Sequence, residues 1–216
     1  MGSTRVAIVG SGGHGREILQ VFLAAQRAGG VDSEFAGFFD DRPDESLLHR
    51  LGTRCLGGMA DAASFDGGCW MGLGAGALKE RFASGVLAAP PLVHPMADVG
   101  TDVTLSPGTV VFAQSTVTTN ISLGVHVHVG RGAAVGHDSV IHDFASIMPL
   151  ASISGSVEVG ERAFVGTGAA VRQGLHLGAD STVGMGAVVL NDVPQGATVF
   201  GNPARVRSGG LSAQVG

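Results

Sequence analysis

From Val93 onward an aliphatic residue returns at every sixth position without a slip: Val93, Val99, Leu105, Val111, and on through Val171, Leu177, Val183 and Val189. A period of six is neither the 3.6 of a helix nor the 2 of a simple strand, and it persists for roughly a hundred residues, so each hexad reads as one structural unit stacked on its neighbours. The fourth residue after each aliphatic one is also small or apolar, as at Ala97, Ile121, Val127, Ala145, Ala163 and Ala187. Two inward positions per hexad leave four for the bend and the outer surface. Glycine follows the aliphatic residue at 100, 124, 130, 136, 160, 166, 178 and 184. That placement suits a bend needing unusual backbone angles or a close approach of backbones. Short flat strands joined by regular bends wind into a parallel β-helix.

The pattern before residue 90 is different. Arg5-Val6-Ala7-Ile8-Val9 reads as a buried strand, followed by Gly10-Ser11-Gly12-Gly13-His14-Gly15 and a helical stretch from Arg16 to about Ala28. The string fits G-x-G-x-x-G in a strand-to-helix setting, where glycines let the backbone approach a phosphate and the helix amino terminus supplies unpaired N–H groups. Phe35 to Phe39 reads as a second strand ending in Asp40-Asp41, and Trp70 to Gly74 as a later strand with a glycine-rich exit. Carboxylates and glycines at strand ends are where open α/β sheets bind ligands. The change of pattern near Ala89-Pro90-Pro91 divides the chain into domains 1–90 and 91–216. A ninety-residue segment is half a dinucleotide fold, which argues against a nicotinamide dehydrogenase.

Composition narrows the partners. A net charge of −5, with no run of Lys or Arg, provides no surface for a phosphate backbone, so nucleic acid is excluded as an expected partner. The amino terminus lacks a signal-peptide core and no eighteen-residue apolar span occurs, so a soluble cytoplasmic protein without membrane association is expected. Cys55 and Cys69, without a zinc-type set of companions, read as small buried residues. A prism that buries two side chains per six needs further contacts, from the amino-terminal domain, a carboxy-terminal cap and sister chains, so a homo-oligomer is expected.

The hexad ladder resembles the hexapeptide-repeat acyltransferases, and a half-Rossmann unit fused to it is similar to sugar acetyltransferases of the NeuD/PglD type. The resemblance implies an α/β plus β architecture: a small Rossmann-like βαβ domain followed by a left-handed β-helix, assembled as a trimer with acetyl-CoA between subunits. It implies that the amino-terminal domain holds a nucleotide-linked amino sugar, through Gly12, Gly13 and His14 on the phosphate side, Asp40 and Asp41 at the nucleoside, and the Gly74 backbone. Val135-Gly136-His137-Asp138-Ser139 resembles the family's catalytic bend, with His137 as base and Asp138 as its acidic partner. Acetyl-CoA contacts fall on Ser146, Gly155, Thr167 and Met185, and Ser146 departs from a family pattern with histidine there. Gly201-Asn202-Pro203-Ala204-Arg205 resembles the signature closing these β-helices.

The chemistry agrees with that assignment. Acetylating a sugar amine requires removal of its proton as it attacks a thioester, a task suited to an imidazole beside a carboxylate. Both cysteines lie in the other domain, which leaves direct transfer within a ternary complex. Gly155 lies eighteen residues, one coil, after His137, where its N–H can meet the thioester oxygen. The expected activity is N-acetylation at the 4-amine of a UDP- or dTDP-linked 4-amino-deoxysugar, with O-acetylation of a sialic-acid-like sugar as the alternative. A metalloenzyme like the γ-carbonic anhydrases also has two histidines five apart, as are His137 and His142, but its third ligand would fall on Thr101, so no metal is expected. A silent scaffold is the remaining reading.

Overall fold

The structure is a computed structural model that describes residues 4–207. Residues 208–216, the end of the expected second domain, lie outside the described residues. The amino-terminal part is a four-stranded parallel sheet formed by β1 (Thr4–Val9), β2 (Ser33–Phe39), β3 (Cys55–Gly57) and β4 (Gly68–Met71), in the order β3-β2-β1-β4. Central β1 buries Val6 through Val9 completely, as a parallel strand covered on both faces must. Helices α1 (Gly13–Arg27), α2 (Glu45–Arg50) and α3 (Gly76–Ala83) complete it, with Ile18, Leu19, Phe22 and Ala25 forming the buried stripe of α1.

Helix α1 starts three residues earlier than the sequence pattern suggests. Gly12 is its extended N-cap, and the first intrahelical bond runs from Arg16 N to Gly12 O at 3.1 Å. The glycine loop is therefore partly the first turn of the helix. Gly10, at φ +96°, turns the chain out of β1, and Gly15 packs so closely on the Gly10 carbonyl that any side chain would overlap it.

From Leu92 the chain winds as a triangular prism of strands two or three residues long. The first face begins at Leu92–Val93, the second at Asp98–Val99 and the third at Val103–Leu105. Stacked strands keep an eighteen-residue offset, as in Val117, Val135, Ile153, Val171 and Val189 along the second face. Every rung of the ladder from Val111 to Val189 is buried, and the first coil is partly buried. The glycines that follow the aliphatic residues serve close approach. A methyl at Gly136 would lie 2.6 Å from Gly155 N and one at Gly130 2.7 Å from Pro149 N, both in the next coil. The left-handed backbone angles fall two residues later, at Asp102, Asn120, Asp138 and Ser156 on one edge.

The last coil is shortened, since Leu177 pairs with Val193 and Val183 with Val199, sixteen residues on. Strand Arg205–Val206 then folds back antiparallel on Thr198–Phe200 and closes the end. At the other junction the amino-terminal domain sits on the first face. Leu92, Val110 and Phe112 point outward from that face and share one core with Ile8, Ile18, Phe22 and Trp70. The Trp70 Nε1–H also donates to Pro90 O at 2.9 Å.

Candidate functional site

The edge between the second and third faces carries His137. Asp138 occupies the left-handed position of the bend at φ +60°, a conformation that aspartate and asparagine tolerate better than most residues. This turns its carboxylate back on its neighbour, with His137 Nδ1 to Asp138 Oδ2 at 2.6 Å. The other oxygen, Oδ1, accepts from Asn120 Nδ2 of the preceding coil at 2.6 Å. The hydrogen bonds from His137 and then Asn120 hold the Asp138 carboxyl below the usual carboxylate range. An ionised Asp138 keeps the ring proton on Nδ1 and leaves the Nε2 lone pair facing outward. The side chains of His137 and Asp138 are about half exposed, at 51% and 50%.

Gly155 lies beneath the ring. A methyl there would come within 2.5 Å of His137 Cε1 and Nε2, so only glycine leaves room for the imidazole. No acceptor for the Gly155 N–H is present among the described residues.

A second cluster occupies the carboxyl ends of β1, β2 and β4. Gly12, Gly13 and Gly74 have nothing within 4 Å of where a side chain would start, and no side chain caps α1. Its first-turn N–H groups have no acceptor among the described residues, an arrangement suited to binding phosphate. Asp40 Oδ2 accepts from Ser11 N at 2.6 Å and Ser11 Oγ at 2.7 Å, and Oδ1 accepts from Arg42 N at 2.8 Å. Partial burial works against the ionised form of Asp40, but these bonds outweigh it and hold the carboxyl low. Its carboxylate thus braces the glycine loop, while exposed Asp41 receives Met59 N at 2.9 Å. His14 turns toward the β-helix, with Nε2 2.8 Å from His128 Nδ1 and its ring stacked on Phe112. Burial, and then the nearby Lys79 charge, push His14 down to about 4.

Lys79, the only lysine of the chain, is fully buried at this seam. Its Nζ donates to His126 O at 2.9 Å, Ala145 O at 3.0 Å and Ser146 Oγ at 2.9 Å. Loss of hydration pushes its titration well below the lysine range, whereas three acceptors round one nitrogen match the three donors of an ammonium. Ser146 Oγ in turn donates a hydrogen bond to Gly74 O at 2.9 Å. Ser146, expected at the thioester, is therefore 1% exposed and spent on joining the two domains. Gly74, expected at the sugar, meets Ser146 through its carbonyl.

The expected acetyl-CoA residues do not converge within one chain. Gly155 shares the His137 edge, Ser146 lies on the first face, and half-buried Thr167 and exposed Met185 lie on the edge between the first and second faces. Sequence reasoning passed over Lys79, His128 and Asn120. For Asn120 a signal existed, since it lies one coil before Asp138. His142 is held by Glu158 at 2.8 Å, and Glu158 also pairs with His176 at 3.3 Å. Thr101 gives its carbonyl to Thr119 Oγ1, and no group of three or more His, Cys, Asp or Glu placed to hold a metal occurs among the described residues.

A family model described as the PglD N-terminal domain matches residues 5–86. The acetyltransferase domain of PglB from Neisseria gonorrhoeae FA1090, solved with acetyl coenzyme A, is 31% identical with a TM-score of 0.85, over 95% of this chain and 100% of that one. The chain belongs to the PglD-type hexapeptide-repeat sugar acetyltransferases. Their left-handed β-helix and Rossmann-like amino-terminal domain are the two parts described above. PerB from Caulobacter crescentus, solved with CoA and GDP-perosamine, is 27% identical with a TM-score of 0.84, over 96% of this chain and 98% of that one. The acyl-[acyl-carrier-protein]–UDP-N-acetylglucosamine O-acyltransferase of Stutzerimonas stutzeri is 40% identical over 87 residues, 40% of this chain and 34% of that protein. The chain thus spans about a third of the length of such curated relatives. Among the described residues no helix is long and apolar enough to cross a membrane.

Proposed function

We propose that this protein transfers the acetyl group of acetyl-CoA to the 4-amine of a nucleotide-linked 4-amino-deoxysugar, with His137 as general base. The observation that carries the reading is the short Asp138–His137 hydrogen bond, which leaves Nε2 free above the unpaired Gly155 N–H. In this scheme the amine attacks the thioester carbonyl while Nε2 takes its proton. The Gly155 N–H stabilises the resulting oxyanion, and collapse of the tetrahedral intermediate breaks the C–S bond. The imidazolium returns the proton to the departing CoA thiolate. The nucleotide phosphates lie at Gly12 and Gly13, with Asp40 bracing that loop and Asp41 toward the nucleoside. Thr167 and Met185 line the pantetheine path. The demand for acetyl-CoA puts the reaction in the cytoplasm.

The geometry of the prism supports an assembly in which neighbouring copies share the site. The His137 edge is the one that does not border the first face, where the amino-terminal domain sits, so the sugar held by one copy is presented to the His137 of another. A homotrimer brings these edges together, and it also brings Thr167 and Met185 of one copy beside His137 of the next.

The test is CoA-thiol release from acetyl-CoA with a panel of UDP-, dTDP- and GDP-linked 4-amino sugars plus a sialic-acid-like acceptor. Turnover with an amino sugar, lost in His137→Ala, is the expected outcome. Turnover only with the hydroxyl acceptor would replace the N-acetyl reading, and turnover unchanged in His137→Ala would end it. Sedimentation at a monomer mass would remove the intersubunit site.

A further inference from the structure

We infer that Asn120 is a positioning residue for the His137 base, acting through Asp138; this rests on the proposed role of His137. Asn120 and Asp138 are eighteen residues apart, so they occupy consecutive rungs of one bend column, and both are left-handed, at φ +52° and +60°. The Asn120 Nδ2–H meets Asp138 Oδ1 at 2.6 Å, while the opposite oxygen meets His137 Nδ1 at 2.6 Å. A carboxylate held by one oxygen alone can still rotate about its terminal bond. A second donor on the other oxygen fixes its plane, and with it the tilt of the imidazole that bonds to it.

The donor is itself anchored. Thr119 Oγ1 bonds Thr101 O at 2.9 Å, Thr119 O accepts from Asp138 N at 3.2 Å, and Ile121 N bonds Asp102 O at 3.1 Å. Asparagine meets three demands at once, because it tolerates the left-handed backbone, donates a proton and adds no charge beside the carboxylate. The column does not require an amide for folding, since Asp102, Ser156 and Gly174 hold the equivalent place in other coils. Asn120 is exposed, so its hydrogen bond is poorly placed to stabilise the fold.

Two substitutions test this in the full chain. Asn120→Gly keeps the backbone conformation and removes the amide. We expect an unchanged melting temperature, unchanged KM for both substrates and a kcat lowered about tenfold. Asn120→Asp sets a second carboxylate against the first. The pair favours an imidazolium at His137, so the acid limb of kcat/KM moves to higher pH by about one unit. The proton NMR titration of the His137 ring reads the same displacement without turnover, so a parent that proved inactive would sink the proposed function yet leave this inference decidable. Parent-like kcat in Asn120→Gly, or an imidazole titration unmoved in Asn120→Asp, overturns it.

Discussion

His14, His126 and His128 line the seam between the domains, whereas His137 stands on the free edge of the prism. At the seam burial dominates, and the adjacent Lys79 adds a like charge; His14 and His126 are both pushed down to about 4, and His128 falls well below the ordinary histidine value. Two buried ring nitrogens there, His126 Nδ1 and His128 Nε2, have no hydrogen-bond partner among the described residues. These imidazoles act as neutral, flat packing groups. On the edge the ring is half exposed and paired with a carboxylate, so it can accept a proton and pass it on. One residue type is a buried packing group in one region and a half-exposed, carboxylate-paired ring in the other, and the difference lies in solvent and in the presence of a carboxylate.

The contrast can be broken first at the edge. His137→Ala is expected to lower kcat by about 10³-fold, within the usual range for a general base, while the melting temperature stays unchanged because the side chain is half exposed. Steady-state kinetics beside calorimetry check both halves.

At the seam the pattern reverses. Lys79→Ala strands three oxygens that now accept from Nζ and opens a cavity, at a cost of about 3–5 kcal/mol. For a chain of this size that lowers the melting temperature by roughly 10 °C. Lys79→Met, which keeps the volume, is expected to lose less, and equal losses for the two would point to the lost hydrogen bonds alone.

Gly155→Ala sharpens the edge further. Its methyl displaces the His137 ring, whose exposure lets it move, so kcat falls about tenfold with the fold retained. A crystal structure of the variant shows whether the ring has swung away.

The seam is also expected to be acid-sensitive. Because His14 and His126 titrate near 4 when folded and near 6.5 when unfolded, the unfolded chain binds more protons between those values. Stability is therefore complete above about pH 6.5 and declines as pH falls toward 4. Melting scans from pH 7 to 5 should show the decline, with a shallower slope in His14→Asn. An identical slope in that variant would remove His14 from the effect.

The β-helix was open to reading because a strict period leaves little choice. Val135 can face inward only if Ile153 and Val117 do, and the eighteen-residue coil then placed Gly155 under His137 in advance. The same eighteen-residue offset counted backward from Asp138 reaches Asn120, so that contact too was legible. The role of the glycines was half legible, since either unusual angles or close approach could explain them, and contact with the next coil decides for the latter. The seam followed no period. Nothing in the local sequence tells Lys79 of α3 that its partners are the carbonyls of His126 and Ala145, and a serine at 146 looks the same whether it faces a thioester or a buried lysine.

By itself the sequence determined the repeat, its coil length, the strand-loop-helix entry of the first domain and the bend that carries His137. These follow from side-chain periodicity and from glycine, which act over a few residues. Tertiary structure alone decided that Ser146 and Gly74 meet, that Lys79 closes the seam and that His137 lies on the edge away from the amino-terminal domain. Those outcomes depend on how two separately folded surfaces dock, and burial there sets hydrogen-bond partners and proton affinities that no local pattern encodes.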